Sequence, residues 1–166
     1  MDKFAMIIFG ASGDLTKRKL MPALYSLYRE KRLTGEYSIL GIGRTVYSDD
    51  NYRSYILEEL QQFVKSEEQD TALMASFVSH LYYLPMDPAK EEGYPQLRQR
   101  LVDLTGEVDP DNLLFYLATP PSLYGVVPLS FLKSSSFRFF NLSIRHIFCL
   151  LTSLIRWLMS FGEETL

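Results

Sequence analysis

A chain of 166 residues is long enough for one domain with a sizeable core. Its composition, 47% apolar and 22% charged, is that of an ordinary soluble globular protein. A net charge of −3 excludes a general attraction to nucleic acid or anionic membrane, and the single cysteine, Cys149, excludes an internal disulfide.

Met1-Asp2-Lys3-Phe4 leads straight into an apolar stretch, without the basic, apolar and cleavage regions of a secretory leader. With one cysteine, this fits a reducing, cytoplasmic setting. Residues 3–9 read as a buried strand, Phe4 to Phe9 being apolar and ending at Gly10. Residues 14–32 read as a helix with Leu20, Leu24, Leu27 and Tyr28 on one face, which Pro22 should kink or split. Strand, glycine turn and helix in that order form the phosphate-binding arrangement of dinucleotide-binding folds. Gly10 permits a tight turn, and Gly13 lets backbone approach a pyrophosphate. The first helical N–H groups lack partners inside the helix and point at the anion. Lys17, Arg18 and Lys19 oppose the helix dipole, which an anion at that place would offset. A solvated basic turn without a ligand is the alternative to a phosphate site. The spacing is Gly10-x-x-Gly13, short of Gly-x-Gly-x-x-Gly, with Thr16 where a third small residue would sit.

Gly35 closes the connection to a second strand at 37–43, which makes the first βαβ unit and a parallel pair. Arg44 follows directly. No Asp or Glu occupies Tyr37–Val46 to accept a ribose 2′-hydroxyl, and an Arg there suits a 2′-phosphate, favouring NADP over NAD; Thr45 would add a hydroxyl. A surface Arg after a strand reads equally well from position alone. Asp49-Asp50 resembles a helix cap. A helix over 51–65 should turn Tyr52, Tyr55, Ile56, Leu60, Phe63 and Val64 inward, leaving Glu58, Glu59 and Lys65 in water. A helix over 70–79 carries Leu73, Met74, Phe77 and Val78. Residues 81–85 make the third strand, and Asp87 beyond it is either a cofactor contact or a turn residue before Pro88. His80 reads as structural. Residues 93–105 form an amphipathic helix with Arg98 and Arg100 on its wet face, and Gly106 to Asp111 make a polar turn. Asn112–Ala118 is a fourth strand, apolar enough to be central. Thr119-Pro120-Pro121 lies at its carboxyl end, where crevices of open parallel sheets lie, and also makes a stiff connection. The fold class is therefore α/β, a Rossmann-like, doubly wound, mostly parallel sheet with helices on both faces.

The stretch Gly10-Ala11-Ser12-Gly13-Asp14-Leu15-Thr16-Lys17-Arg18-Lys19-Leu20-Met21-Pro22-Ala23-Leu24 resembles the N-terminal signature of glucose-6-phosphate dehydrogenases. The resemblance continues through Ile42-Gly43-Arg44-Thr45, Met86-Asp87 and Ala118-Thr119-Pro120-Pro121-Ser122-Leu123-Tyr124-Gly125, covering roughly residues 1–132. It implies oxidation of glucose 6-phosphate to 6-phosphogluconolactone with hydride transfer to NADP, in the pentose phosphate pathway. Carried over residue by residue, it implies that Gly10, Ala11, Ser12, Gly13, Asp14 and Leu15 wrap the pyrophosphate. Arg44 and Thr45 then hold the 2′-phosphate, and Asp87, Pro120, Pro121 and Tyr124 lie along the cofactor. Lys19 matches a lysine that reaches the substrate. The family's Glu-Lys-Pro motif and catalytic His are absent from this sequence, so no catalytic residue is assigned and the chain alone is expected to be inactive. Glucose 6-phosphate is a partner only with the family's second domain, on which the oligomeric state also depends. A non-catalytic NADP-binding module, or an interaction fragment working through the tail, are the alternatives.

From Leu129 the composition changes. Residues 129–166 hold 2 acidic residues and 6 of the 11 phenylalanines, and they carry none of the family's continuation. Residues 1–128 therefore read as the dinucleotide-binding domain, and 129–166 as an apolar tail consistent with a shifted reading frame and early stop. The longest uncharged run there, Ile147 to Ile155, is far short of the roughly 20 residues of a spanning helix. Leu142–Phe161 would instead cover a sheet edge, stay disordered or lie at a membrane interface. His146 and Cys149 do not make a metal site.

Overall fold

The computed structural model describes residues 4–33, 35–106 and 113–127. The expectations for the tail, including His146 and Cys149, and most of the polar turn ending at Asp111 lie outside the described residues.

Four strands pair in parallel in the order β3-β2-β1-β4: β1 (Phe4–Phe9), β2 (Tyr37–Gly43), β3 (Leu81–Pro85) and β4 (Leu113–Leu117). Alternation along the strands divides the core in two. Ala5, Ile7, Phe9, Leu40, Ile42, Leu113, Phe115 and Leu117 face Tyr94, Leu97 and Leu101 of α4 (Tyr94–Thr105). Met6, Ile8, Ile39, Leu81 and Tyr83 face α1 (Met21–Arg29), α2 (Asp49–Phe63) and α3 (Thr71–Val78). β1 is covered on both sides, which is why it reads as a continuous apolar run; each of its large side chains contributes about 1.5–3 kcal/mol by burial. The chain leaves β1 on one side toward β2 and returns to its other side as β4, so the sheet reverses direction of winding between β1 and β4.

The first helix departs from its expected form, and Pro22 is the reason. Thr16–Leu20 form a π-helical turn, with the Met21 N–H bonded to the Thr16 carbonyl, and α1 proper runs only to Arg29. Pro22 has no N–H and its ring would strike the carbonyl four residues back. Widening one turn relieves that clash without ending the helix.

Five other expectations need correction. The cap of α2 is Ser48, whose Oγ accepts from the Asn51 N–H at 3.2 Å, and not the Asp pair. Asp49 is drawn inward instead. It accepts the Tyr83 N–H at 2.8 Å and pairs with Arg100, so Arg100 is half-buried and not on a wet face. Glu59 is also inward, its side chain 14% exposed against Lys17. In the same helices Tyr55 and Phe63 are only half-buried, and Leu73 of α3 is exposed. Finally, β4 ends the strand order among the described residues, whereas β1 and β2 are central. Its apolar character comes from facing α4, while Leu114 is 45% exposed.

The outer edge of β3 is closed by α2. Arg53 Nε donates to the Leu81 carbonyl at 2.8 Å, and Asp49 takes the Tyr83 N–H. These backbone groups face away from β2, and without such partners they would template pairing with another chain.

Candidate functional site

The carboxyl ends of β1, β2 and β4 converge on a groove of about 480 Å³. Gly10, Ser12 and Gly13 form one wall, Gly43 and Arg44 a second, and Asp87 with Ala118–Pro120 a third. The groove sits where the winding of the sheet reverses, the place where open α/β sheets bind ligands.

The glycine turn is built from backbone. Gly10 and Ala11 both donate to the Ile42 carbonyl, at 2.9 and 3.0 Å, which lashes the turn to β2. Gly13 N–H closes the turn on the Gly10 carbonyl at 2.9 Å, and Lys17 N–H starts the helix on Gly13. Among the described residues, the N–H groups of Ser12, Asp14, Leu15 and Thr16 take no backbone acceptor. These are the orphan donors of a helix start; those of Ser12, Asp14 and Leu15 lie on residues open to solvent and are available to an anion, whereas Thr16 is buried. Gly10 has φ +86°, and a Cβ there would stand 2.4 Å from the Ala118 carbonyl oxygen. Thr16 is fully buried, and its hydroxyl donates to the Gly10 carbonyl at 3.0 Å. A small side chain with one hydroxyl therefore replaces the third glycine and adds a tie that glycine lacks.

The basic run divides. Lys17 Nζ reaches Glu59 Oε1 at 3.3 Å, and Arg18 pairs with Asp14 at 2.6 Å while lying over the Phe63 ring. Two of the three cations are thus matched by carboxylates and do not face the groove; Lys19 is exposed, with no ion pair among the described residues. Asp14 and Leu15 are exposed and do not line the groove through their side chains. Ala11 is buried beneath the turn, and Tyr52 Oη donates to its carbonyl at 3.2 Å. Arg44 is exposed at the groove lip with no ion pair among the described residues. Thr45 lies beside it and donates to Ser12 Oγ at 3.3 Å, bridging the two walls.

Asp87 takes the expected turn position and also stands beside the groove. It lines the groove, and its carboxylate accepts the Ala89 N–H at 3.0 Å in a turn. Pro120 lines the groove, whereas Pro121 opens a short 3₁₀ turn and Tyr124 packs on the α4 face of the core. Gly43 and Thr119 also line the groove, although the motif stretches that contain them gave neither a role. A Cβ at Gly43 would stand 2.6 Å from the Tyr83 hydroxyl and 3.0 Å from Ser12 Oγ, so the second wall needs glycine for close approach. The spacing Gly41-x-Gly43 at a strand end was the available signal. Thr119 is buried with its hydroxyl unpartnered. Burial raises the phenols beneath the groove, Tyr52 well above its ordinary value and Tyr55 to about 12. His80 stands at the opposite end of the sheet, stacked on Tyr37 at 4.5 Å. Among the described residues no cluster could hold a metal ion, and no helix is long and apolar enough to cross a membrane.

A doubly wound parallel sheet with a glycine turn and helix N-terminus at its switch point defines a dinucleotide-binding Rossmann-like domain. Residues 7–139 match the family profile described as glucose-6-phosphate dehydrogenase, NAD binding domain, and the chain belongs to that family. It is 44% identical over 124 residues to the glucose-6-phosphate 1-dehydrogenase of Aggregatibacter actinomycetemcomitans, covering 74% of this chain and 24% of that protein. It is 35% identical over 128 residues to the Bacillus subtilis enzyme of that name, covering 75% and 24%. A solved glucose-6-phosphate dehydrogenase in complex with its substrate glucose-6-phosphate superposes with TM-score 0.69 at 35% identity, over 81% of this chain and 28% of that one. The Mycobacterium avium glucose-6-phosphate 1-dehydrogenase shares the fold, with TM-score 0.68 at 23% identity. The chain spans about a quarter of the length of the curated relatives it matches.

Proposed function

We propose that residues 1–128 bind NADP in the groove, as the cofactor domain of an enzyme that oxidises glucose 6-phosphate to 6-phosphogluconolactone. The observation that carries this is the pairing of two anion sites. The unused N–H groups of the glycine turn suit the pyrophosphate, and Arg44, exposed without a carboxylate partner among the described residues, suits the 2′-phosphate. The bound nicotinamide supplies the hydride acceptor. Gly10, Ser12 and Gly13 cradle the phosphates, Thr45 and Ser12 brace the Arg44 wall, and Asp87 and Pro120 border the cofactor further along. Lys19, Asp14, Leu15, Pro121 and Tyr124 act at the rim or through the backbone, and Ala11 supports the turn from below.

Proton abstraction from the sugar needs a base, and among the described residues no His lines the groove. With the family's Glu-Lys-Pro motif and catalytic His absent from this sequence, the 166-residue chain by itself is expected to bind NADP without turnover. Its setting is the cytoplasm, in keeping with the single cysteine. A melt of the purified chain with NADP and with NAD tests the reading. At a hundred times Kd, binding to the folded state adds about 2.7 kcal/mol, so NADP raises Tm by several degrees and NAD by less. Arg44→Ala should weaken NADP about 10- to 100-fold, as expected for a charge-assisted contact, and leave NAD nearly unchanged. Equal shifts with both nucleotides would refute the 2′-phosphate assignment, and no shift with either would refute the cofactor site.

A further inference from the structure

Tyr52 stands in the first turn of α2, eight residues beyond Arg44, and belongs to no recognisable motif. Its side chain is fully buried, and its hydroxyl donates to the Ala11 carbonyl at 3.2 Å. The Ala11 N–H is held by the Ile42 carbonyl at 3.0 Å. Both backbone groups at the apex of the glycine turn are thus fixed from beneath, one by β2 and one by Tyr52. The fit is tight. A Cβ at Gly41 would stand 2.7 Å from Ala11 Cβ and 3.0 Å from the Tyr52 hydroxyl oxygen. Gly41 is not required by a left-handed backbone; it makes room for this contact. Tyr83, 4.6 Å away between ring centroids, packs against the Tyr52 ring. The Tyr52 N–H bonds to the Ser48 carbonyl at 2.9 Å, so the same residue anchors the helix that ends the Arg44 loop.

We propose that Tyr52 is a positioning residue for the cofactor, tying the pyrophosphate turn to the helix behind Arg44 so that the two anion sites keep one spacing. This rests on the NADP reading above. NADP must satisfy both sites at once, whereas NAD, without a 2′-phosphate, engages the turn alone. Loosening the tie therefore penalises NADP more than NAD.

The test is calorimetric titration of the 166-residue chain and its Tyr52→Phe variant with NADP and NAD, at a temperature where both are folded. Tyr25→Phe is the control, since Tyr25 is also buried but bonds to the Glu68–Asp70 backbone away from the groove. The expected result is a rise in the NADP Kd of about threefold or more, with the NAD Kd changed less than twofold and Tyr25→Phe changing neither. A lower Tm in Tyr52→Phe with both Kd values unchanged, or raised in the same proportion, overturns the proposal and makes Tyr52 merely structural. Failure of the wild-type chain to bind NADP overturns the cofactor reading itself, and this inference with it. Should Tyr52→Phe not fold, hydrogen exchange of the wild-type chain decides. NADP must slow amides 49–53 as well as 10–17; protection confined to 10–17 overturns the tie.

Discussion

The two ends of the sheet both carry hollows, and they differ in the polar groups that face them. At the amino end, Phe4, Tyr37 and His80 stack on one another, with centroids 5.7 and 4.5 Å apart, around a hollow of about 240 Å³. At the carboxyl end the hollow is twice that size, and its walls are glycine backbone, hydroxyls and an exposed guanidinium. The amino end meets its needs with its own aromatic rings, leaving the buried Tyr37 hydroxyl without a partner. The carboxyl end leaves a row of N–H donors and one cation for something else. Size does not distinguish a site from a packing gap; unspent donors and charge open to solvent do, and the unpartnered Tyr37 hydroxyl is buried.

Gly10→Ala breaks this comparison most severely. The φ of +86° alone costs a non-glycine residue ~1–3 kcal/mol. The added Cβ also meets the Ala118 carbonyl oxygen at 2.4 Å, which is main chain and cannot swing aside. NADP binding should be abolished and Tm lowered by more than about 10 °C, as a thermal melt with and without nucleotide would show. Retained binding would mean the turn is not the phosphate cradle.

Alkali comes next and acts on both ends together. Burial raises the phenols of Tyr37, Tyr52, Tyr55 and Tyr94 above the ordinary value of 10.0, Tyr55 to about 12. A group whose folded value is raised contributes stability that is complete below the unfolded value and is lost as pH climbs through the folded one. Urea midpoints should therefore be level from pH 8 to about 10 and fall steadily from there to 12. A fall beginning below pH 9 would point to some other group.

His80→Ala separates the two ends. It removes a ring stacked on Tyr37 and tilted against Tyr28 at 5.9 Å. The loss should be about 1 kcal/mol, a drop of a few degrees in Tm, with the NADP Kd unchanged in the same preparation. A shifted Kd would show that the amino end communicates with the groove.

How far the sequence carried these conclusions differs by element. β2 and β3 fell at the predicted residues because both are short apolar runs with glycine or proline at their ends. The glycine turn and Arg44 were legible because each is a local arrangement, contained in a few consecutive residues. What escaped was non-local. Nothing near Lys17 says that Glu59, 42 residues away, will claim it, nor that Asp49 will leave its cap for Arg100 on another helix. Their positions read as a basic turn and a wet helix face until the chain folds them together. Gly43 and Tyr52 belong to the same class, since their roles depend on side chains crossing from β3 and α2.

The last effect, at Thr119, is expected to be opposite in sign to the others. Its hydroxyl is buried without a hydrogen-bond partner among the described residues, while its methyl lies 3.3 Å from where a Gly10 Cβ would stand. The methyl, and not the hydroxyl, therefore meets the glycine turn. Thr119→Val keeps the shape and removes the unpaired polar atom, whose desolvation costs ~1–3 kcal/mol when uncompensated. Tm should rise by a few degrees, with the NADP Kd within twofold of the parent chain. If Tm falls and NADP affinity falls with it, the hydroxyl turns into the groove in the bound state, and Thr119 joins the residues that hold the cofactor.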